Sequence, residues 1–180
     1  RTAMKSKISL KDNNIKAYKL KNFSFKNFYQ SYYINRKNNL PLIDAKLAIS
    51  KDYYTISKKN KWITNYQSRK RAHLIRSEYD SIISTSKSIN KDNSLLNCRL
   101  DGFNSSKPDL IIIDLKLKLK TNLNLFELSK KRKILLVTTI RKSKKIFLLK
   151  NKGVKFIQIK SLKSKEDFLN FFQFLKKKGF

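Results

Sequence analysis

Arg76 and Arg99 are candidates for holding a ligand, because a guanidinium fork matches the paired oxygens of a phosphate or carboxylate. Arg76 falls on the apolar side of a helix whose inward-facing set, at helical spacing, is Ser68, Ala72, Ile75, Arg76 and Tyr79, with Thr64 or Asn65 as its cap. Two readings of that cation are open. It can complement the helix dipole from the last turn and snorkel outward, or it can face one anionic ligand together with Arg99. Residue types alone do not choose between them. The surrounding stretch, from Lys61 to Arg99, also carries the only Trp (Trp62), His (His73) and Cys (Cys98) of the chain. His73 lies among basic residues and reads as a packing or surface residue, and Cys98 has no partner and no activating helix start. Trp62 follows a polar loop, where a lone indole serves as a core plug, a lid or a ligand contact. No zinc spacing of Cys and His, no Gly-rich phosphate loop and no serine nucleophile elbow occurs.

The elements that must position these residues are those of an α/β chain. Residues 1–14 are polar, and 15–18 are short and apolar enough for a strand. Phe25, Phe28, Tyr29, Tyr32 and Tyr33 have helical spacing and form an aromatic stripe, which predicts a core-facing helix stopped by Pro41. A strand is expected over 42–50, with small Ala48 near its end, followed by a polar loop over 51–61. After the helix capped by Thr64 or Asn65 come a short strand at Ser81 to Ser84 and a turn rich in Ser, Asn and Asp, which reads as a strand-end loop. In open α/β sheets such loops bind ligands. Further strands are predicted at 109–114, 134–138 and 154–159, a helix over 142–152 ending at Gly153, and a last helix opened by the capping box Ser164-Lys165-Glu166-Asp167 with Phe168, Leu169, Phe171, Phe172 and Leu175 as its apolar face. Strand and helix alternating with short links imply a mostly parallel sheet with helices on both faces.

At 180 residues the chain can hold one sizeable core. No window of eighteen apolar residues exists, so no membrane span is expected, and a single cysteine fits a reducing, cytoplasmic setting. A net charge of +31 would ordinarily point to nucleic acid. The excess is mainly Lys, however, and accompanies abundant Asn, Ile, Phe and Tyr with little Gly and Pro, the set encoded by A/T-rich codons. Compositional drift accounts for the lysines, which are spread along the chain as on solvated faces although Lys130-Lys131-Arg132-Lys133 and Lys176-Lys177-Lys178 are local clusters, so no specific nucleic-acid partner is expected. A basic nucleic-acid-binding module stands as the alternative reading.

Several pieces, in this order, resemble the reductase domain of the bacterial bifunctional riboflavin-biosynthesis deaminase/reductase. They are Ala45-Lys46-Leu47-Ala48-Ile49-Ser50-Lys51-Asp52, Lys61-Trp62-Ile63-Thr64, Arg71-Ala72-His73-Leu74-Ile75-Arg76, Asp80-Ser81-Ile82-Ile83, Asn90-Lys91-Asp92-Asn93 with Leu96 and Arg99, and the strand ending at Asp114. The resemblance implies a dihydrofolate-reductase-like fold and NADPH-dependent reduction of the ribosyl group of 5-amino-6-(5-phosphoribosylamino)uracil to the ribityl chain. It implies that Ala48, Trp62, Ser88 and Asp92 contact NADPH, and that Asn60, Arg76, Leu96 and Arg99 hold the phosphorylated ribosylaminopyrimidine substrate. No catalytic nucleophile and no metal are implied in this region, since hydride transfer mainly requires two ligands to be oriented and water excluded. The sequence departs from the family at Asn60, Ser88, Asn93-Ser94 and Leu115, where Ser, Thr, Asp-Pro and a polar residue are usual.

By the same resemblance, residues 1–36 are the tail of an upstream zinc deaminase domain with a connecting helix, and residues 37–180 are the reductase domain. Zinc is expected only in that deaminase domain. A ligand-binding Glu-Gly-Gly segment is expected beyond Phe180, so the 180 residues are expected to be inactive alone. Homodimers are common in the family.

Overall fold

A computed structural model describes residues 2–18, 28–55, 62–103 and 107–180. The chain divides into two compact units, residues 1–42 and 43–180. The first contains helices α1 (Thr2–Asp12) and α2 (Gln30–Asn38). Asn39, with a left-handed φ of 55°, ends α2 two residues before Pro41. The expected aromatic core helix does not form one. Phe25 lies outside the described residues, α2 buries nothing, and Phe28, Tyr29, Tyr32 and Tyr33 are exposed. Their rings meet each other edge to face instead, as at Tyr29 and Tyr33 with centroids 6.4 Å apart. Residues 15–18 are irregular rather than a strand.

The second unit is built on four parallel strands in the order β1 (Ser81–Thr85), β2 (Asp109–Ile113), β3 (Ile134–Thr138) and β4 (Val154–Gln158). Alternation along β2 and β3 sends Leu110, Ile112, Ile134 and Leu136 to one face and Ile111, Leu135 and Val137 to the other, so both faces are apolar. The first face packs on Ile89 of α4 (Ser86–Asp92), on Leu125 and Phe126 of a 3-10 turn (Asn124–Leu128), and on Ile146 and Leu149 of α5 (Lys144–Asn151). These are the connections between successive strands. In a sequentially ordered parallel sheet, crossovers of one hand must all fall on the same side. The opposite face is therefore left to elements outside the crossovers, and Phe171 and Leu175 of α6 (Lys165–Lys177) cover it. The α6 start is the predicted capping box: Asp167 N donates to Ser164 Oγ at 3.1 Å and Ser164 N to Asp167 Oδ2 at 3.1 Å. Of the predicted apolar face, Phe171 and Leu175 are buried and Phe172 partly so, while Phe168 and Leu169 stay exposed. Gly153, with φ +83°, joins α5 to β4.

Two expectations fail in this unit. Residues 42–50 are irregular, because no described strand offers them a ladder, and Ile43, Leu47 and Ile49 are exposed. The residues after β1, expected as a loop, form the short helix α4, held by Ile89 beneath it and capped by Thr85.

Candidate functional site

Helix α3 (Tyr66–Glu78) starts at Asn65, whose side chain accepts from Ser68 N at 2.8 Å. Ala72, Ile75, Arg76 and Tyr79 are half-buried as expected, but Ser68 is exposed, since the cap uses its backbone and leaves its side chain in solvent. Tyr79, just past the helix, donates its hydroxyl to Asp44; that bond holds the phenol up at about 12. It ties the irregular stretch containing half-buried Ala48 to the end of α3.

The last turns of α3 face the loop over 94–99. Arg76 Nη1 donates to Asn97 O at 3.2 Å, and Arg99 N donates to His73 Nδ1 at 3.2 Å. Arg76 and Arg99 therefore belong to one neighbourhood: burial and then the charge of Arg99 lower the Arg76 pKa. His73 is lowered too, by burial and by Arg76 and Arg99, so its neutral form is favoured and Nδ1 stays an acceptor. The snorkelling reading of Arg76 gives way to one in which a half-buried cation is held by a loop carbonyl beside a second, exposed guanidinium.

Leu96 lies in the same loop with φ +53°, a left-handed conformation that costs a leucine and must be imposed by its surroundings. The Leu96 carbonyl is held by a residue the sequence hid. Arg132, in a lysine-rich cluster to which the sequence assigns no role, is only 5% exposed. Its Nη2 donates to Leu95 O, and its Nη1 donates to Leu96 O at 3.3 Å and Pro108 O at 3.0 Å. Burial pushes its guanidinium down to about 10, opposed by Asp109 and aided by Arg76, which leaves it charged at neutral pH. The only legible signal was an arginine where drift favours lysine.

Ser88 and Asp92 are exposed and lie four residues apart on α4, so they share one side of that helix at the carboxyl end of β1. Ser88 N bonds Thr85 Oγ1 at 3.3 Å. A second polar node was also missed. Buried Asp114, at the end of β2, accepts from Ser86 Oγ at 2.9 Å, Lys118 N at 2.8 Å and Leu119 N at 2.7 Å, pinning the loop after β2 against the start of α4.

Trp62 is 56% exposed, not a core plug; Arg69 lies over its ring at 4.7 Å and anchors to Thr64 O. Asn60 lies outside the described residues. The structure thus brings Arg76, Leu96 and Arg99 to one loop and Ser88 and Asp92 to one helix. Trp62 belongs to the entry of α3 and Ala48 to the stretch before it. An open cleft of about 690 Å³ at the carboxyl ends of β3 and β4, lined by Thr139, Arg141, Gln158, Ile159 and Lys160, contains none of the predicted residues. Among the described residues, no group of His, Cys, Asp and Glu could hold a metal, and no helix is long and apolar enough to cross a membrane.

The model of the RibD C-terminal domain family matches residues 41–180. Among solved structures, RibD from Acinetobacter baumannii aligns with a TM-score of 0.66 at 21% identity, covering 86% of this chain and 41% of that one. A diaminohydroxyphosphoribosylaminopyrimidine deaminase/5-amino-6-(5-phosphoribosylamino)uracil reductase from Thermotoga maritima gives 0.66 at 22%, covering 83% and 40%. The Saccharomyces cerevisiae riboflavin biosynthesis reductase Rib7 gives 0.59 at 22%, covering 86% and 67%. The chain spans about two fifths of the two bacterial proteins. No curated protein is matched by sequence. The shared architecture is the α/β, dihydrofolate-reductase-like fold.

Proposed function

Because this chain belongs to the RibD C-terminal domain family over residues 41–180, we propose that it is reductase sequence of riboflavin biosynthesis, acting with NADPH on 5-amino-6-(5-phosphoribosylamino)uracil. The observation that carries the reading is the meeting of Arg76 and Arg99 at the Leu96 loop, two guanidiniums without a carboxylate bonded to either among the described residues. Such a pair suits the phosphate of the ribosyl substrate. Leu96, half-buried in the same loop, is assigned as an apolar contact for the pyrimidine end, and Asn60 is assigned to the same substrate set.

The cofactor side is assigned to Ala48, Trp62, Ser88 and Asp92. The donor set fits a dinucleotide: a hydroxyl and a carboxylate exposed on one side of α4 suit ribose and amide hydrogen bonds, and an exposed indole offers an apolar wall. When bound, the nicotinamide supplies the hydride. The chain's own residues then bind, orient and exclude water, and no side chain is asked to act as nucleophile. Residues 1–36 are assigned to the tail and linker of a zinc deaminase domain.

The test is steady-state kinetics on the full-length protein. Arg99→Ala and Arg76→Ala should each raise KM for the phosphorylated substrate at least tenfold, as expected for about 1.5–3 kcal/mol per charged contact, with KM for NADPH little changed. Unaltered substrate kinetics in both variants would reject the assignment.

A further inference from the structure

Three successive carbonyls of the loop, those of Leu95, Leu96 and Asn97, accept hydrogen bonds from two arginines, the first two from Arg132 and the third from Arg76. Main-chain carbonyls outside helices and ladders need partners when buried, and water or a helix end is the usual supply. Here the supply is a side chain from 36 residues further along the chain, reaching under the loop from the start of β3. Its third bond, to Pro108 O at 3.0 Å, fixes it to the start of β2 as well. Arg132 is thus fastened to the rigid sheet on one side and to the loop on the other. Lysine cannot reproduce this, since a single ammonium lacks the planar spread that reaches Leu95, Leu96 and Pro108 together.

We propose that Arg132 is a positioning residue for the substrate: by holding the Leu95 and Leu96 carbonyls it keeps Leu96 in its left-handed conformation and so aims Leu96 and Arg99 at the phosphorylated pyrimidine. It touches no ligand itself, being buried beneath the loop. The inference rests on the substrate assignment of Leu96 and Arg99. It also separates the two ligands: the carbonyls it holds lie beyond Asp92, on the loop, whereas Ser88 and Asp92 lie on α4, whose own anchors are Thr85, Ile89 and the Asp114 node. Loosening Arg132 should therefore disturb one ligand and spare the other.

The experiment uses the full-length enzyme with Arg132→Lys and Arg132→Met. Both should raise KM for the pyrimidine substrate about tenfold while KM for NADPH stays within about twofold, and amide exchange over residues 95–99 should quicken. If the Met variant does not fold, the Lys variant carries the same measurement. Unchanged substrate KM in a folded variant, an equal rise in both KM values, or unchanged exchange at 95–99 would overturn the proposal. Absence of NADPH-dependent turnover in the wild-type enzyme would instead reject the functional reading, and exchange at 95–99 would then decide alone whether Arg132 holds the loop.

Discussion

The centre of the sheet and the loop over 94–99 are both well anchored, but by opposite means. In β2 and β3, order comes from apolar side chains: Leu110, Ile112, Ile134 and Leu136 are fully buried, and their carbonyls and amides are consumed in the parallel ladder. In the loop, Leu95 and Leu96 also pack on the core, but the backbone is held by side chains, with Arg132 and Arg76 taking the carbonyls and His73 taking the Arg99 amide. The first arrangement is non-directional and tolerates apolar side chains of similar volume. The second is directional and depends on one residue type at one place. Stability should therefore reside in the sheet and ligand preference in the loop.

The largest effect that would break this division is in the sheet. Leu136→Ala should destabilise the protein by about 3 kcal/mol in urea unfolding while leaving the substrate KM of the full-length enzyme near wild type. A large KM change in the folded variant would mean that the two regions are coupled. Asp114→Ala is intermediate, because it strands the Ser86 hydroxyl and the Lys118 and Leu119 amides. A loss of about 2 kcal/mol by the same method is expected; a loss as large as that of Leu136→Ala would make polar nodes equal partners of the core. The smallest effect is a pH dependence in the loop. The folded state lowers the His73 pKa below its ordinary 6.5, so it binds this proton less readily than the unfolded chain does. The stability contributed by neutral His73 is complete above that value and is lost as pH falls through the lower folded one. Thermal melts from pH 7 to 5 should show a shallower decline in His73→Gln than in wild type. Parallel curves would show that the loop does not sense this imidazole.

What could be read in the sequence follows the same division. β3 was legible to the residue, since Ile-Leu-Leu-Val-Thr has one interpretation when flanked by Lys133 and a polar turn, and the Ser164 box announced α6. The α4 helix was not legible. It has Ile89 as its single aliphatic residue, so no amphipathic period exists to detect, and its stability comes from contacts to β1, β2 and the Asp114 loop. Residues 42–50 erred the other way: strand-forming residues without a strand to pair with. At the site, Arg76 and Arg99 stood out as candidates, while Arg132 was marked only by its residue type, because its burial is against carbonyls far away in the chain.

The sequential order of the four strands has a kinetic consequence. Each strand pairs with the strand that follows it in the chain, so every new ladder closes only the loop of its own crossover, and no strand must wait for a distant partner. During synthesis β1 and β2 can pair before β3 has emerged, and each later strand finds a finished edge to join. The Arg132 bonds break this local rule, spanning 36 residues back to Leu96. The loop proposed to aim the substrate is therefore expected to acquire its final shape only after the start of β3 has been made.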